Sequence, residues 1–334
     1  MSLKFYSISI FTKNNLKKLQ KILPYLRLFL LFFFTMIIVW ACSKNIPKDV
    51  KSNFNSVSQF SKYQCRVIKH AVGETCVPLN PKRVIVLANI DNIIALGIEP
   101  IGATRTLDGK FGLDLGDRTQ KIVEVGSNGQ PNLEKILYLK PDLILGWYWD
   151  AGVYDKLSYI APTVLAKSDL TWQELLTLYA EALGKKKEAQ QLLENYNKRI
   201  KLFRQKMSDR LLKTQVSVVS FWADRVHIEM QQSFCGVILK EIGLPRPPAQ
   251  NKDKNSESVS LEIIPKLEGD VLFVVSGGHD ESKLTQYRNH PLWSQLEAVK
   301  QGRVYEVDND VWSGSWGIIA ANRVLDDLFK YLIE

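Results

Sequence analysis

Histidine and cysteine are scarce in this chain, with four of each among 334 residues. His70, His227, His279 and His290 stand alone, and neither C-x-x-C nor H-E-x-x-H occurs, so no metal-site spacing can be read. A zinc or manganese binder, which needs clustered histidines and carboxylates, is set aside on the same ground. The G-x-S-x-G nucleophile turn, the P-loop and the G-x-G-x-x-G fingerprint are missing too. Gly314-Ser315-Trp316-Gly317 resembles a nucleophile turn only loosely, and no histidine follows it. The expectation is therefore not an enzyme, with no cofactor and no resident metal. With 46% hydrophobic and 24% charged residues, the composition also excludes collagen-like, disordered and disulfide-stapled chains.

Acidic residues are absent from positions 1–41, which carry Lys4, Lys13, Lys17, Lys18, Lys21 and Arg27 and end in the uncharged run 28–41. Fourteen uncharged positions fall short of the ~20 that a membrane-crossing helix needs, but suit the hydrophobic region of a signal peptide. Val39-Trp40-Ala41-Cys42 resembles the bacterial lipobox, in which the cysteine is lipidated and becomes the new N-terminus. Cys42 is thus the expected lipidation site, two acyl chains giving the stable attachment that one does not. The alternative is an uncleaved N-terminal anchor. Removing the 41 positions and their six cations lowers the net charge from +9 to +3 over 293 residues. A near-neutral body gives no reason to expect nucleic acid as a partner. Residues 42–60 read as a polar, aperiodic tether.

Export implies an oxidising compartment. Cys65 and Cys76 lie on two alternating stretches around Gly73, so a hairpin would bring them together if its register allows a disulfide; otherwise they are two half-buried thiols. Cys235 reads as a buried, inert thiol.

From residue 83 short apolar runs alternate with helical segments, the pattern of a parallel sheet covered on both faces. Residues 185–213 break the rhythm. They lack Gly and Pro, and Ala189, Leu192, Leu193, Tyr196, Ile200, Phe203 and Met207 recur at helical spacing, which predicts one long helix. The alternation then restarts. The fold class expected is α/β, two Rossmann-like lobes (61–184 with a leading hairpin, and 214–334) joined by a single long α-helix.

That layout, with local motifs, resembles the helical-backbone class of periplasmic substrate-binding proteins of ABC transporters, and within it the iron–siderophore branch. The motifs are Pro131-Asn132-Leu133-Glu134 running into Asp142–Leu145, Asn289-His290-Pro291-Leu292-Trp293 running to Tyr305, Gly243–Pro247 and Ile319–Leu328. The resemblance covers roughly residues 60–334. It implies a monomeric, membrane-anchored lipoprotein, periplasmic or on the cell surface, that captures a ferric siderophore between its lobes and delivers it to an ABC permease. Haem or cobalamin is the alternative ligand, with Tyr148 or His279 as an axial group.

In such a protein the ligand meets loops that follow the strands. Those loops carry Arg105, Trp147, Tyr148, Trp149, Trp222, Arg225, Trp312 and Trp316, together with the turn Ser276–His279. Aromatic walls and guanidinium groups match a bulky, often anionic chelate. The resemblance also implies that each lobe docks on the permease through a carboxylate, which by motif position is Glu134 in the first lobe and Glu262 in the second, each in the first turn of a helix.

Overall fold

The chain divides into two units, Met1–Lys62 and Tyr63–Glu334. The computed structural model describes residues 65–106, 109–222, 225–276 and 282–334 of the second. The expected signal segment, Cys42 and the tether lie outside the described residues, as does 277–279 of the Ser276–His279 turn.

A hairpin of β1 (Cys65–His70) and β2 (Gly73–Pro78) opens the described part. Its register pairs Val67 with Cys76 and Cys65 with Pro78. That offset still brings the Cys65 and Cys76 Cα atoms to 5.5 Å, and the disulfide is formed. The hairpin is fastened to the rest of the first lobe. Arg66 donates to the Ala182 and Leu79 carbonyls, and Ala71 N donates to Leu165 O at 2.8 Å.

The first sheet holds β3 (Val84–Val86), β4 (Gly102–Arg105), β5 (Val123–Ser127), β6 (Gln130–Pro131), β7 (Leu143–Trp147) and β8 (Thr163–Ala166), in the order 6-5-4-3-7-8. All neighbours run parallel except the short β6, a strand that the sequence pattern does not signal. Both faces are buried: Val84 and Val86 belong to one apolar cluster, Ile85 and Ile144 to another. The second sheet runs 11-10-9-12-13, from β9 (Val216–Phe221), β10 (Val226–Glu229), β11 (Ser256–Ser258), β12 (Val271–Ser276) and β13 (Val304–Asp308). Here β9, β12 and β13 are parallel, while β10 is antiparallel to both of its neighbours. Strand β11 lies in the polar stretch 245–258, which the apolar-run pattern does not mark as a strand.

One continuous helix, Lys186–Met207, joins the two sheets, and buries Ala189, Tyr196, Ile200, Phe203 and Met207 as the spacing predicts. The segment expected to be helical to 213 leaves the α form earlier. Ser208 adopts φ 50°, which an L-residue cannot continue as a right-handed helix, and a tighter 3-10 turn covers Ser208–Lys213. Twenty-two residues give a rod of about 33 Å. It is locked to both sides: Trp172 meets Tyr196 edge-on at 4.9 Å, and the Tyr196 hydroxyl donates to Glu241 at 3.0 Å. The last helix, Ile318–Leu332, packs along it and against the helix Ile90–Ala95.

Candidate functional site

The C-terminal ends of β3, β4 and β7 open toward the segment that comes after β13. Between them lies a small chamber of about 80 Å³. Its first-lobe wall includes Asn89, Thr104, Phe111 and Trp149, and its second-lobe wall is Gly314, Ser315 and Trp316. Asn89 holds φ 58°, a left-handed conformation that Asn tolerates better than most residues, and so turns the chain sharply out of β3 into the helix Ile90–Ala95. A wider hollow of about 550 Å³ shares Phe111 with the chamber and is lined by Arg105, Lys110, Asp308 and Asp310. Its volume lies within the ~300–1,000 Å³ usual for small-molecule sites.

Arg105, at the end of β4, lies over the Phe111 ring at 4.7 Å and donates through Nη1 to Gly109 O at 2.6 Å. Its Nε has no hydrogen-bond partner, the nearest carboxylate oxygen of Glu124 lying 3.8 Å away. A cation so held is oriented, and with its side chain 42% exposed the guanidinium can still meet an arriving anion.

The aromatic residues divide. Trp149 is 41% exposed, and Trp316 is half-buried, with its indole N–H on Leu170 O at 3.2 Å. Tyr148 is exposed beside them, 5.3 Å from Trp149. Trp147 is only 6% exposed and serves as the layer beneath, stacked on Trp149 at 5.5 Å. Trp312, expected in the cleft, is instead wholly buried. The short helix Asn309–Trp312, capped by Asp308, turns it inward, where it stacks on Phe273 at 4.6 Å and donates to Asp327 Oδ2 at 2.8 Å. Trp312 is thus a core residue, because its large apolar face is covered and its one polar atom is satisfied within the lobe.

Trp222 is exposed at the end of β9, its N–H donating to the Arg225 carbonyl at 2.9 Å. Arg225 does not line the chamber; it borders a separate hollow with Ser260, Glu262, Lys283 and Tyr287. The structure therefore groups Arg105, Trp149 and Trp316, with Tyr148 and Trp147 adjoining, places Arg225 on a separate hollow and Trp312 in the core, and leaves Trp222 exposed at the end of β9.

Glu134 is exposed in the first turn of the helix Leu133–Leu139, whose Asn132 cap accepts from Lys135 N at 2.9 Å. It borders an apolar groove with Leu137 and Tyr159, which are 59% and 93% exposed. Glu262 is also exposed, but stands in a 3-10 segment, Leu261–Leu267, that contains Pro265. Its carboxyl accepts from the Ser260 hydroxyl, which holds it below its ordinary pKa.

Sequence reading missed Asn89, Phe111, Ser315 and Lys110. Asn89 immediately follows an apolar strand run, and the glycine-rich stretch from 105 signals a loop. Neither signal says which side chains turn inward. Among the described residues no group of three or more His, Cys, Asp or Glu side chains comes together to hold a metal.

Residues 87–311 match the model of the periplasmic binding protein family. A probable siderophore-binding lipoprotein of Bacillus subtilis, YfiY, is 37% identical over 321 residues, covering 91% of this chain and 96% of its own. The Fe(3+)-citrate-binding protein YfmC of the same organism is 32% identical over 304 residues, covering 88% and 92%. Among solved structures, Staphylococcus aureus SirA complexed with staphyloferrin B has a TM-score of 0.73 at 31% identity, covering 80% of this chain and 98% of that one. With two α/β lobes on one connecting helix and a cleft between them, this chain belongs to the periplasmic binding protein family, in its helical-backbone class, as a binding protein and not a catalyst.

Proposed function

We propose that this protein captures a ferric siderophore between its lobes and delivers it to an ABC permease, and that the chelate is anionic and of the carboxylate type. The carrying observation is the arrangement of Arg105, oriented over Phe111 with its side chain 42% exposed, next to a chamber walled by Trp149 and Trp316. Aromatic faces bury the apolar parts of a chelate while a guanidinium meets its carboxylates. The relatives support the class: YfmC is named for ferric citrate, and SirA was solved with staphyloferrin B. Attachment through lipidated Cys42 agrees with the name of YfiY, a lipoprotein. Docking through Glu134 is favoured by its exposure beside the apolar groove of Leu137 and Tyr159, because a permease loop offering an apolar side chain and a cation fits both features. Glu262 is the second-lobe counterpart.

The test is tryptophan-fluorescence quenching of the purified protein by ferric citrate, ferric staphyloferrin B, a ferric hydroxamate, a ferric catecholate, haem and cobalamin. Saturable quenching by the two carboxylate chelates at the lowest concentrations is expected. Quenching by haem or cobalamin alone would overturn the siderophore reading.

A further inference from the structure

Two adjacent side chains of the first lobe begin a helix at the far end of the sequence. Asn92 Oδ1 accepts from Ile318 N at 3.1 Å, while its Nδ2 donates to Trp316 O at 3.3 Å. Asp91 Oδ2 accepts from Ala320 N at 3.3 Å. The helix Ile318–Leu332 has no side-chain cap of its own, because its N-cap is Gly317. Two of its open N–H groups, those of Ile318 and Ala320, are satisfied from across the molecule. Glycine is needed at 317, since a Cβ there would fall onto Asp91 Oδ1.

Asn92 is wholly buried and Asp91 is 3% exposed. Asp91 Oδ1 has no hydrogen-bond partner. Burial pushes the Asp91 carboxyl up to about 7, opposed by the N–H groups of Ala320 and Asn92 and by Arg323. Arg323 stands on the same C-terminal helix and donates to Asp114 O at 2.8 Å. The helix Trp172–Leu183, also packed against Ile90–Ala95, buries apolar residues and Tyr179 and no carboxylate or cation. A neutral asparagine would supply the acceptor for Ala320 N at less cost in desolvation. A stability reason for the carboxylate is therefore lacking, and a functional one is called for.

The stretch held by these bonds begins at Trp316, the last residue of the second-lobe wall of the chamber, and Asp91 itself borders the chamber. We infer that Asp91 and Asn92 are positioning residues of the ligand site: they set the Ser315–Trp316 wall against the first-lobe wall, and the proton on Asp91 governs how well an anionic chelate is accepted there. The inference rests on reading the chamber as the chelate site. A negative charge beneath the chamber repels an anion, so capture is favoured while Asp91 is protonated and weakens as the proton leaves.

The experiment uses the purified protein, with Asp91→Asn, Asn92→Ala and Trp316→Phe variants. The ligand-free emission of wild type minus that of Trp316→Phe is followed from pH 5 to 9. This difference should titrate with a midpoint near 7, and the transition should vanish when Asp91→Asn is compared with Asp91→Asn/Trp316→Phe. Three further carboxyls are raised by burial, and each signal cancels in the subtraction: Asp150, at about 6, lies beside Trp147, Glu241 accepts from Tyr196, and Asp327 accepts from Trp312. With ferric citrate as probe, wild-type affinity should fall several-fold between about pH 6 and 8 and stay level in Asp91→Asn. Asn92→Ala should weaken binding about tenfold throughout, the loss expected for one buried hydrogen-bonding group. If that variant does not fold, Asn92→Asp keeps the acceptor for Ile318 N and removes the donor to Trp316 O, and should weaken binding likewise. A Trp316 signal that ignores pH, or that titrates equally in Asp91→Asn, would overturn the inference. If ferric citrate does not bind the wild type at all, the choice of chelate has failed, while the ligand-free titration of Trp316 still decides the positioning role.

Discussion

Lys110 of the first lobe and Asp310 of the second form an ion pair of 2.8 Å that spans the mouth of the cleft. Their side chains are 43% and 17% exposed, so the pair adds no more than about 1 kcal/mol to stability. Its consequence is for binding, because both residues line the hollow that Arg105 also borders. An anionic chelate competes with Asp310 for Lys110. Asp310→Asn should therefore raise affinity for ferric citrate several-fold, and Lys110→Gln should lower it. Both effects should shrink when the titration is repeated at high salt. Equal affinities for the three proteins at low salt would exclude the competition.

Arg105→Gln removes the guanidinium and its contact with Phe111 while keeping some of the side chain's bulk. Loss of a charge-assisted contact predicts a drop in chelate affinity of about tenfold or more, with the melting temperature nearly unchanged. Trp312→Phe is the contrasting case. It removes the bond to Asp327 inside a packed core and should lower stability by about 1–3 kcal/mol without a specific effect on binding. Paired titration and thermal-melt data on the two variants separate a ligand residue from a core residue.

Replacing Cys65 and Cys76 together by Ser opens a loop of sequence separation 11. The expected cost is about 2–3 kcal/mol, read as a lower denaturation midpoint. Ligand binding should survive, since the hairpin lies away from the chamber residues. An unchanged midpoint would mean that the anchoring of Arg66 suffices alone.

Asp150 is buried, with Oδ2 accepting from Trp147 N at 3.0 Å and Oδ1 unpartnered. Burial pushes its carboxyl up to about 6 from an ordinary 3.8. The folded protein thus keeps a proton that the unfolded chain releases, and this group's contribution to stability falls as pH rises from about 4 to about 6, then stays level. Asp150→Asn should be more stable than wild type by about 1–2 kcal/mol at pH 7.5, a gain that disappears near pH 4. Denaturant midpoints at the two pH values check the sign.

Glu134→Ala with Glu262→Ala should leave chelate binding intact and abolish uptake by cells that depend on this protein. Tyr159→Ser alone should reduce uptake in part, through the apolar groove beside Glu134. Loss of chelate binding in the double variant would count against docking as the role of the two carboxylates.

Much of the fold can be read in the residues. The apolar stripe from Ala189 to Met207 forecasts the connecting helix, and short apolar runs forecast most strands. The helix ends at Met207 and not at 213 because a single backbone conformation at Ser208 intervenes, which helical spacing does not register. The site is less legible for a different reason. Trp147, Trp149, Trp312 and Trp316 all lie at or beyond strand ends, yet their exposure depends on half-turns such as Asn309–Trp312 that rotate one indole into the core. Arg225 likewise comes after β9, but borders the hollow beside Glu262. Composition says that aromatic and cationic side chains are present. Only the local backbone decides which of them meet.

The bond from Asn92 to Ile318 joins residues 226 positions apart, and the wall of the chamber depends on it. A contact so distant in sequence is slow to find, because the intervening chain must first be ordered. Each lobe can assemble its own sheet early, but the binding chamber exists only after Gly314–Ala320 has docked on the helix that begins at Ile90. Recovery of chelate binding during refolding should therefore lag behind recovery of secondary structure, and a chain that has built both sheets remains for a time unable to hold its cargo.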